Sequence, residues 1–248
     1  MWTTTSHDER VLLDTLFWFF SLEEFMNLER LESLVGLDVL ERIKNLNILI
    51  VGIGGVGGYT LESLVRCGVE NITIIDYDRV DSSNLNRQII SNLNNIGQLK
   101  VDVARKRYTN INDKLNLKTM SIFLDKDNID SINICQFDYV VDACDSVETK
   151  ALLMGVCVSK NIKIISSMGT AKKMDATKLS ITTLDKTNYD KLAKKLRSVV
   201  PKNIQRKIKV VSSTEQVKDI NVLGSNSFVP ATSGLLITNY IINDVANS

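Results

Sequence analysis

The sequence is poor in cysteine, which argues against a zinc-binding or disulfide-stabilised protein. None of its four cysteines, Cys67, Cys135, Cys144 and Cys157, forms a C-x-x-C pair, the spacing found in zinc knuckles. Each lies among apolar neighbours, which is typical of buried thiols. Scattered cysteines also fit a reducing compartment, so we expect a cytoplasmic protein.

Long hydrophobic runs are missing as well. The N-terminal part has one apolar run, residues 11–22, which is too short to span a bilayer and is interrupted by Asp14. No basic segment or cleavage site frames it as a signal peptide. We expect residues 1–26 to form a helical segment without an assigned function. Trp18 and the phenylalanines beside it leave open a peripheral contact with a membrane.

Charge is balanced overall but uneven along the chain. The 248 residues carry a net charge of +1, and 44% hydrophobic with 24% charged residues is ordinary for one globular domain. Residues 151–220 hold 15 Lys and Arg against 5 Asp and Glu. Such a basic half can bind a polyanion or can be a solvated surface without a ligand, and charge alone leaves both readings open.

Helical periodicity alternates with short apolar runs along the chain. Helices are predicted at 27–35, 37–44, 59–67, 99–110, 127–134, 150–160, 189–197 and 232–245, and strands at 48–51, 71–75, 118–123, 137–142, 162–167, 178–184 and 207–213. This order predicts an α/β, Rossmann-like, doubly wound fold with a mostly parallel sheet, N-terminal helices and a C-terminal extension. Only two prolines and no repeat occur, so we expect one domain over 27–248. Below, the basic half means the basic C-terminal part of this domain, from about residue 170.

The most specific motif in the sequence is the glycine turn GIGGVG. A strand precedes it, a helix follows, and the next strand ends at Asp76, 19 residues after Gly57. This is one βαβ unit, whose glycine turn and helix N-terminus bind phosphate groups. Gly52 allows the tight turn and Gly57 close packing of the helix. Gly54 and Gly55 let the backbone approach a phosphate.

Acidic side chains follow two of the predicted strands. Asp76 can accept hydrogen bonds from ribose hydroxyls, with Asp78 as a second acid. Asp142 and Asp145, in the sequence DACDS, emerge at the carboxyl end of a buried strand, where open α/β sheets bind ligands. Asp142 is the candidate ligand for Mg²⁺ on ATP phosphates, and Asp145 for the base or ribose side. Ser146 is a candidate nucleotide contact or only a helix N-cap.

A dense polar cluster, Asn84, Asn86, Arg87 and Gln88, lies between two apolar stretches. The guanidinium of Arg87 can donate two hydrogen bonds to a phosphate, and the side chain of Asn86 can hydrogen-bond to a phosphate or a base. Lys100, at the head of the next helix, offers a second phosphate-binding cation.

Together, GIGGVG, DYDRVDSSNLNRQ, Lys100 and DACDS resemble the ThiF/MoeB/E1-like superfamily, which activates carboxylates with ATP. The resemblance covers about residues 30–167. It implies roles in binding ribose, phosphate, metal or base for Asp76, Asp78, Asn86, Arg87, Lys100, Asp142 and Asp145. Arg30 lies where the family places an arginine that reaches into the partner subunit's ATP site, which implies a homodimer.

One difference from the superfamily pattern limits which of its branches the chain can resemble. Sulfur-transfer and ubiquitin-type members usually carry a later cysteine, and this chain has none after Cys157. The segments SSMGTA, VSSTE and FVPATSGLL resemble the tRNA threonylcarbamoyladenosine dehydratase (TcdA/CsdL) branch. That resemblance implies ATP-dependent cyclisation of the threonylcarbamoyl group on adenosine 37 of tRNA, through adenylation of its carboxylate. The basic half then holds tRNA phosphates.

Two other readings remain open from the sequence. One is an adenylyltransferase that acts on the C-terminus of a ubiquitin-like sulfur-carrier protein or a peptide. The other is a non-catalytic nucleotide-binding or NAD-binding module, which Arg87, Lys100 and Asp142 disfavour. Whether a sulfur-relay protein docks on the chain is also open.

Overall fold

A seven-stranded sheet lies at the centre of this computed structural model, which describes residues 26–217, 221–222 and 224–248. The strands are β1 (Asn47–Val51), β2 (Asn71–Ile75), β3 (Asn116–Met120), β4 (Tyr139–Asp142), β5 (Lys163–Ser167), β6 (Leu179–Thr183) and β7 (Lys209–Ser213). Their order is β3-β2-β1-β4-β5-β7-β6. All neighbours are parallel except β6 and β7. The mostly parallel sheet is therefore confirmed, while the expectations for residues 1–25 lie outside the described part of the chain.

Helices cover both faces of this sheet. They are α1 (Glu29–Val35), α2 (Leu37–Lys44), α3 (Gly57–Arg66), α4 (Lys100–Tyr108), α5 (Val147–Ser159), α6 (Lys191–Val199), α7 (Lys202–Gln205) and α8 (Phe228–Ala246). In β1, Ile48 and Ile50 join a core with α3, α4 and α8, whereas Leu49 and Val51 join a second core with α5 and α6. Because both faces are buried, β1 is a continuous apolar run rather than an alternating one.

The strand order reverses between β1 and β4. From β1 the chain proceeds outward to β2 and β3, and it then returns to place β4 and β5 on the other side. The carboxyl ends of β1 and β4 therefore flank a crevice, the usual ligand position in doubly wound folds. In register, Val51 at the end of β1 pairs with Asp142 at the end of β4. The fold thus brings the glycine turn and the DACDS segment together.

Some predicted boundaries were wrong. Strand β3 ends at Met120 and not at residue 123, because its pairing with β2 aligns Met120 with Ile75, the last residue of β2. Residues 127–134 form no α-helix but two short 3₁₀ turns, Ile129–Ser131 and Ile134–Gln136. There the Asn128 side chain accepts the backbone N–H of Asp125, which favours a local turn over a continuing helix. Helix α7, which follows Pro201, was not predicted.

No helix among the described residues has the length and apolar character needed to cross a membrane. The C-terminal helix α8 instead packs on α3 near the glycine turn. A Cβ atom on Gly234 would lie 2.4 Å from the carbonyl oxygen of Val56, and Thr60 Oγ1 donates to the carbonyl oxygen of Gly234 at 3.2 Å. Only glycine permits this approach.

Two glycine-to-alanine variants test this contact. We expect Gly234→Ala to lower the free energy of unfolding by about 1–3 kcal/mol, because the new methyl group overpacks the α3–α8 contact. The matched control is Gly155→Ala within α5, where an added Cβ meets nothing within 4 Å. That change should raise the free energy of unfolding by about 0.5–1 kcal/mol through helix propensity. Urea unfolding measures both, and equal effects would contradict the packing argument.

Candidate functional site at the carboxyl edge of the sheet

The glycine turn joins β1 to α3 with almost no free space. Gly52 has φ of +85°, and its N–H donates to the carbonyl oxygen of Ile75 at 2.8 Å. A Cβ on Gly52 would lie 2.8 Å from the carbonyl oxygen of Ala143, and one on Gly57 would lie 1.8 Å from that of Gly52. The predicted structural roles of Gly52 and Gly57 are therefore confirmed. The turn places the N-terminus of α3 at the crevice, and a helix N-terminus can bind an anion.

Asp76 organises this turn from the end of β2. One carboxylate oxygen accepts the N–H of Ile53 at 2.8 Å, and the other accepts that of Asp78 at 2.9 Å. The side chain is buried, and burial raises the pKa of Asp76 even though nearby Lys100 opposes that shift. Asp76 is thus fixed beside the glycine turn, the position expected of an acceptor for ribose hydroxyls.

Lys100 and Asp78 form an ion pair next to Asp76. The Nζ of Lys100 lies 2.7 Å from Oδ2 of Asp78, and the lysine side chain is 5% exposed whereas the aspartate is 46% exposed. Lys100 is the first residue of α4. Its charge is therefore held at the crevice and is partly neutralised by Asp78.

Arg87 and Asn86 lie on the other side of the glycine turn. The Cγ of Arg87 is 3.5 Å from the position of a Cβ on Gly55, and its guanidinium donates to the carbonyl oxygen of Ser83 and to Oδ1 of Asn86. Asn86 Nδ2 in turn donates to the carbonyl oxygen of Ser225 at 3.2 Å. Both acceptors of Arg87 are neutral oxygens, so its positive charge remains available to an anion.

Gln88 and Asn84 are the buried members of the polar cluster. Asn84 closes a turn with Asp81, accepting its backbone N–H at 3.1 Å. Gln88 Nε2 lies 3.6 Å from the position of a Cβ on Gly54, and Gln88 Oε1 has no hydrogen-bond partner within the described residues. A buried acceptor without a partner is costly. The structure therefore gives Asn84 a local structural contact and leaves Gln88 with an unused acceptor beside the turn.

Asp142, at the end of β4, is completely enclosed. Lys150 Nζ lies 3.1 Å from each of its carboxylate oxygens, and Ser166 Oγ donates to Oδ2 at 2.6 Å. The same Nζ donates to Ser166 Oγ and to the carbonyl oxygen of Ser167 at 2.8 Å. Both charged side chains are 0% exposed. Sequence reasoning missed Lys150, although a lone lysine preceding the apolar helical stretch ALLMGVCV was a usable signal.

Cys144 also contacts this carboxylate. Its Sγ donates to Oδ1 of Asp142 at 3.1 Å. Burial, with a further contribution from the negative charge of Asp142, raises the pKa of the Cys144 thiol far above its usual range. The thiol therefore stays protonated at neutral pH, which makes it a poor nucleophile.

The donor chemistry at the end of β4 suits Mg²⁺, since this ion takes one or two carboxylates together with phosphate oxygens. The side chain of Asp142, however, faces protein donors on every side, so a metal could bind it only in exchange for one of them. Asp145, three residues further along, is exposed. Within the described ranges no group of three or more His, Cys, Asp or Glu side chains is arranged for a metal ion. Any Mg²⁺ here would depend on nucleotide phosphates for its other ligands.

Two predicted residues take positions apart from this cluster. Ser146 is the N-cap of α5, where its Oγ accepts the N–H of Thr149 at 3.2 Å. Arg30 is exposed on α1, and the neighbouring Leu28 packs against Gly68 beyond the far end of α3. Within one chain, Arg30 is therefore not brought to the glycine turn.

The fold and the site together define a class: a doubly wound α/β protein with a glycine turn at its topological switch point, flanked by the cations Arg87 and Lys100. Residues 28–243 match the model of the ThiF family. The chain therefore belongs to the ThiF family.

Individual relatives agree with this assignment. The chain is 33% identical over 236 residues to a tRNA threonylcarbamoyladenosine dehydratase of Bacillus subtilis, an alignment that covers 87% of this chain and 93% of the relative. The crystal structure of the Escherichia coli dehydratase TcdA with AMP superposes with a TM-score of 0.83 at 31% identity, covering 87% of this chain and 92% of that one. The ATP complex of the same enzyme gives 0.82.

The buried ion pair at the end of β4 makes a measurable prediction. We expect Lys150→Met to lower the free energy of unfolding by about 3–5 kcal/mol, because it leaves the Asp142 carboxylate buried without a counter-ion. Adding Asp142→Asn should recover most of the loss. Lys100→Met is the control, and we expect a smaller effect there because its partner Asp78 stays in contact with water. Urea unfolding curves measure the free energy of unfolding of each variant. If Lys150→Met and the double variant Lys150→Met/Asp142→Asn are equally stable, the proposed pairing is contradicted.

Proposed function

We propose that the protein uses ATP to dehydrate N6-threonylcarbamoyladenosine at position 37 of tRNA to its cyclic form. The observation that carries this proposal is the match to 93% of the length of the Bacillus subtilis dehydratase, together with a glycine turn, Arg87 and Lys100 assembled in one crevice. The site holds no reactive thiol among the described residues, since Cys144 is protonated and bound to Asp142. Adenylation followed by ring closure requires no enzyme thiol.

The reaction has two steps. An oxygen of the threonyl carboxylate attacks the α-phosphorus of ATP, and pyrophosphate leaves with the electrons of the broken P–O bond. An atom of the carbamoyl group then attacks the activated carbonyl carbon, loses its proton, and expels AMP as the ring closes. The net change is the loss of water from the threonylcarbamoyl group, coupled to conversion of ATP to AMP and pyrophosphate.

The protein's contribution to these steps is to bind charge and fix geometry. The glycine turn and the N-terminus of α3 receive the phosphates, and Arg87 and Lys100 supply positive charge. Asp76 receives the ribose, with Asn86, Gln88 and Asp145 available for further nucleotide contacts. Bound Mg²⁺ would neutralise phosphate charge, with Asp142 or Asp145 as its carboxylate ligand.

Three further properties belong to the same proposal. The protein acts as a homodimer, in which Arg30 enters the ATP site of the partner subunit. It works in the cytoplasm, in keeping with its free cysteines. The basic half binds the phosphates of tRNA, supported by the exposed lysines of α6. Docking of a sulfur-relay protein and peripheral contact with a membrane stay untested predictions.

A product assay tests the proposed reaction. The protein is incubated with ATP, Mg²⁺ and tRNA that carries threonylcarbamoyladenosine, and the nucleosides are analysed by mass spectrometry. We expect a cyclised nucleoside that has lost one water, and none without ATP or with unmodified tRNA. The proposal fails if this product is absent while ATP–pyrophosphate exchange depends on a small carrier protein ending in Gly-Gly.

Replacement of Arg87 tests the phosphate site. We expect Arg87→Ala to slow AMP formation by about 10²–10³-fold, the usual effect of removing one electrostatic contact to a reacting group, while the melting temperature stays unchanged. Arg79→Ala is the matched control, because Arg79 is a nearby exposed arginine whose guanidinium donates to the carbonyl oxygen of Gly97. Similar losses in the two variants would contradict a specific role for Arg87.

Salt dependence tests the basic half. Each lysine that contacts a tRNA phosphate releases about one counter-ion on binding. We therefore expect Lys194→Gln and Lys195→Gln each to lower the slope of log affinity against log salt by about 1. Lys106→Gln, an exposed lysine on α4, should leave the slope unchanged. Filter binding with tRNA at several salt concentrations measures these slopes, and identical slopes for all variants would remove α6 from the tRNA-binding surface.

A further inference from the structure

Two residues outside the nucleotide site have left-handed backbone without being glycine or asparagine. Lys172 has φ of +61° and Tyr189 has φ of +55°. Each immediately precedes one member of a second buried ion pair, Lys173 and Asp190. The Nζ of Lys173 lies 3.2 Å from Oδ2 of Asp190, and both side chains are 1% exposed. A bulky residue persists in this backbone conformation only when its surroundings impose it, and here the buried pair holds both positions.

Further contacts attach this pair to its neighbours, including the segment that follows β5. Asn226 Nδ2 donates to the carbonyl oxygen of Lys173 at 2.7 Å, and Asp190 Oδ1 accepts the N–H of Ala193 in the first turn of α6. A Cβ on Gly169, two residues beyond β5, would lie 3.3 Å from Oδ2 of Asp190. Strand β5 is the neighbour of β4. Tyr189 is therefore held next to the carboxyl edge of the sheet, on the side away from β1 and its glycine turn.

The side chain of Tyr189 is not used inside the protein core. It is 58% exposed, so packing of the ring itself does not account for the left-handed backbone that presents it. The constrained backbone of Tyr189 presents the ring to solvent, where a flat ligand can stack on its face. Exposed aromatic rings of this kind are the usual stacking platforms for unpaired nucleic-acid bases.

The charge around Tyr189 identifies the kind of partner. Lys186, Lys191, Lys194 and Lys195 are exposed nearby in the chain. Across residues 186–209 the single acidic residue is Asp190, whose charge is buried against Lys173. The exposed Asp185 lies four residues before Tyr189, but the exposed lysines outnumber it. An exposed aromatic ring in a mostly basic segment matches the combination that binds single-stranded nucleic acid, in which bases stack and phosphates are neutralised.

We propose that Tyr189 stacks on an unpaired base of the RNA substrate and so positions the anticodon loop against the carboxyl edge of β4 and β5. This inference rests on the proposed function, since it takes tRNA as the substrate. Lys173 and Asp190 are positioning residues in this arrangement: they touch no substrate and fix the backbone that presents the ring. The lysines of α6 supply the phosphate contacts.

The test uses the full-length protein and an anticodon stem-loop RNA carrying threonylcarbamoyladenosine, with binding measured by fluorescence anisotropy. We expect Tyr189→Ala to weaken RNA binding roughly 5- to 150-fold, the range for loss of one base–aromatic stack. Tyr189→Phe, which keeps the ring, should bind within about twofold of the wild type. The slope of log affinity against log salt should not change in either variant, because no phosphate contact is lost.

Three controls separate stacking from a structural role. Tyr189→Gly removes the ring and also relieves the left-handed backbone, and it should bind RNA as weakly as Tyr189→Ala. Asn188→Ala, at the neighbouring exposed position, should bind like the wild type. The affinity for ATP, measured by calorimetry without RNA, should be the same in all variants.

The outcomes distinguish this inference from the proposed function. If the wild type binds and cyclises the RNA but Tyr189→Ala binds it equally well, stacking by Tyr189 is wrong and the proposed function stands. Recovery of binding in Tyr189→Gly would also overturn the inference, because strain and not the ring would then be responsible. If the wild type neither binds nor cyclises the modified RNA, both proposals fail together.

Discussion

The carboxylate of Asp142 and the ammonium group of Lys150 meet without any contact with solvent, and the geometry of the site depends on this pair. An isolated buried charge is very unfavourable, so each charge is held in place by its need for the other. Lys150 also donates to the carbonyl oxygen of Ser167, and Ser166 donates to Asp142. The pair thereby joins the ends of two adjacent strands. An apolar pair of the same size would stabilise the fold at least as well, so its particular contribution is to fix the orientation of Asp142.

The same strand end connects the nucleotide side of the crevice to the C-terminal helix. The hydroxyl groups of Ser167 and Ser233 lie 2.8 Å apart, which ties β5 to α8. On α8, Pro230 lies 3.3 Å from the position of a Cβ on Gly55. A chain of contacts therefore runs from the glycine turn through α8 to β5 and back to Asp142. A disturbance at any of these points is expected to reach the others, because the buried groups have no water to replace a lost partner.

Local patterns in the sequence were sufficient for the fold class and much of the crevice. The glycine turn, the strand ends at Asp76 and Asp142, and the cations Arg87 and Lys100 could be predicted because strand, turn and helix follow one another within short stretches. The second buried ion pair could not be predicted in this way. Lys173 and Asp190 are separated by 17 residues, and only the fold shows that they meet. The boundary of β3 was also missed, because pairing with β2 sets it rather than local propensity.

The distribution of charge in the crevice bears on the oligomeric state. Of the site cations within the described residues, Lys100 is paired with Asp78 and Lys150 with Asp142, so much of their charge is already neutralised. Arg87 donates only to neutral oxygens in the contacts that the fold provides. Besides the helix N-terminus, one arginine thus carries most of the positive charge left for the triphosphate of ATP, which has several negative charges. Arg30 is exposed on α1, away from its own glycine turn. This shortage of cations within one chain supports the proposed homodimer, in which each subunit receives an arginine from its partner.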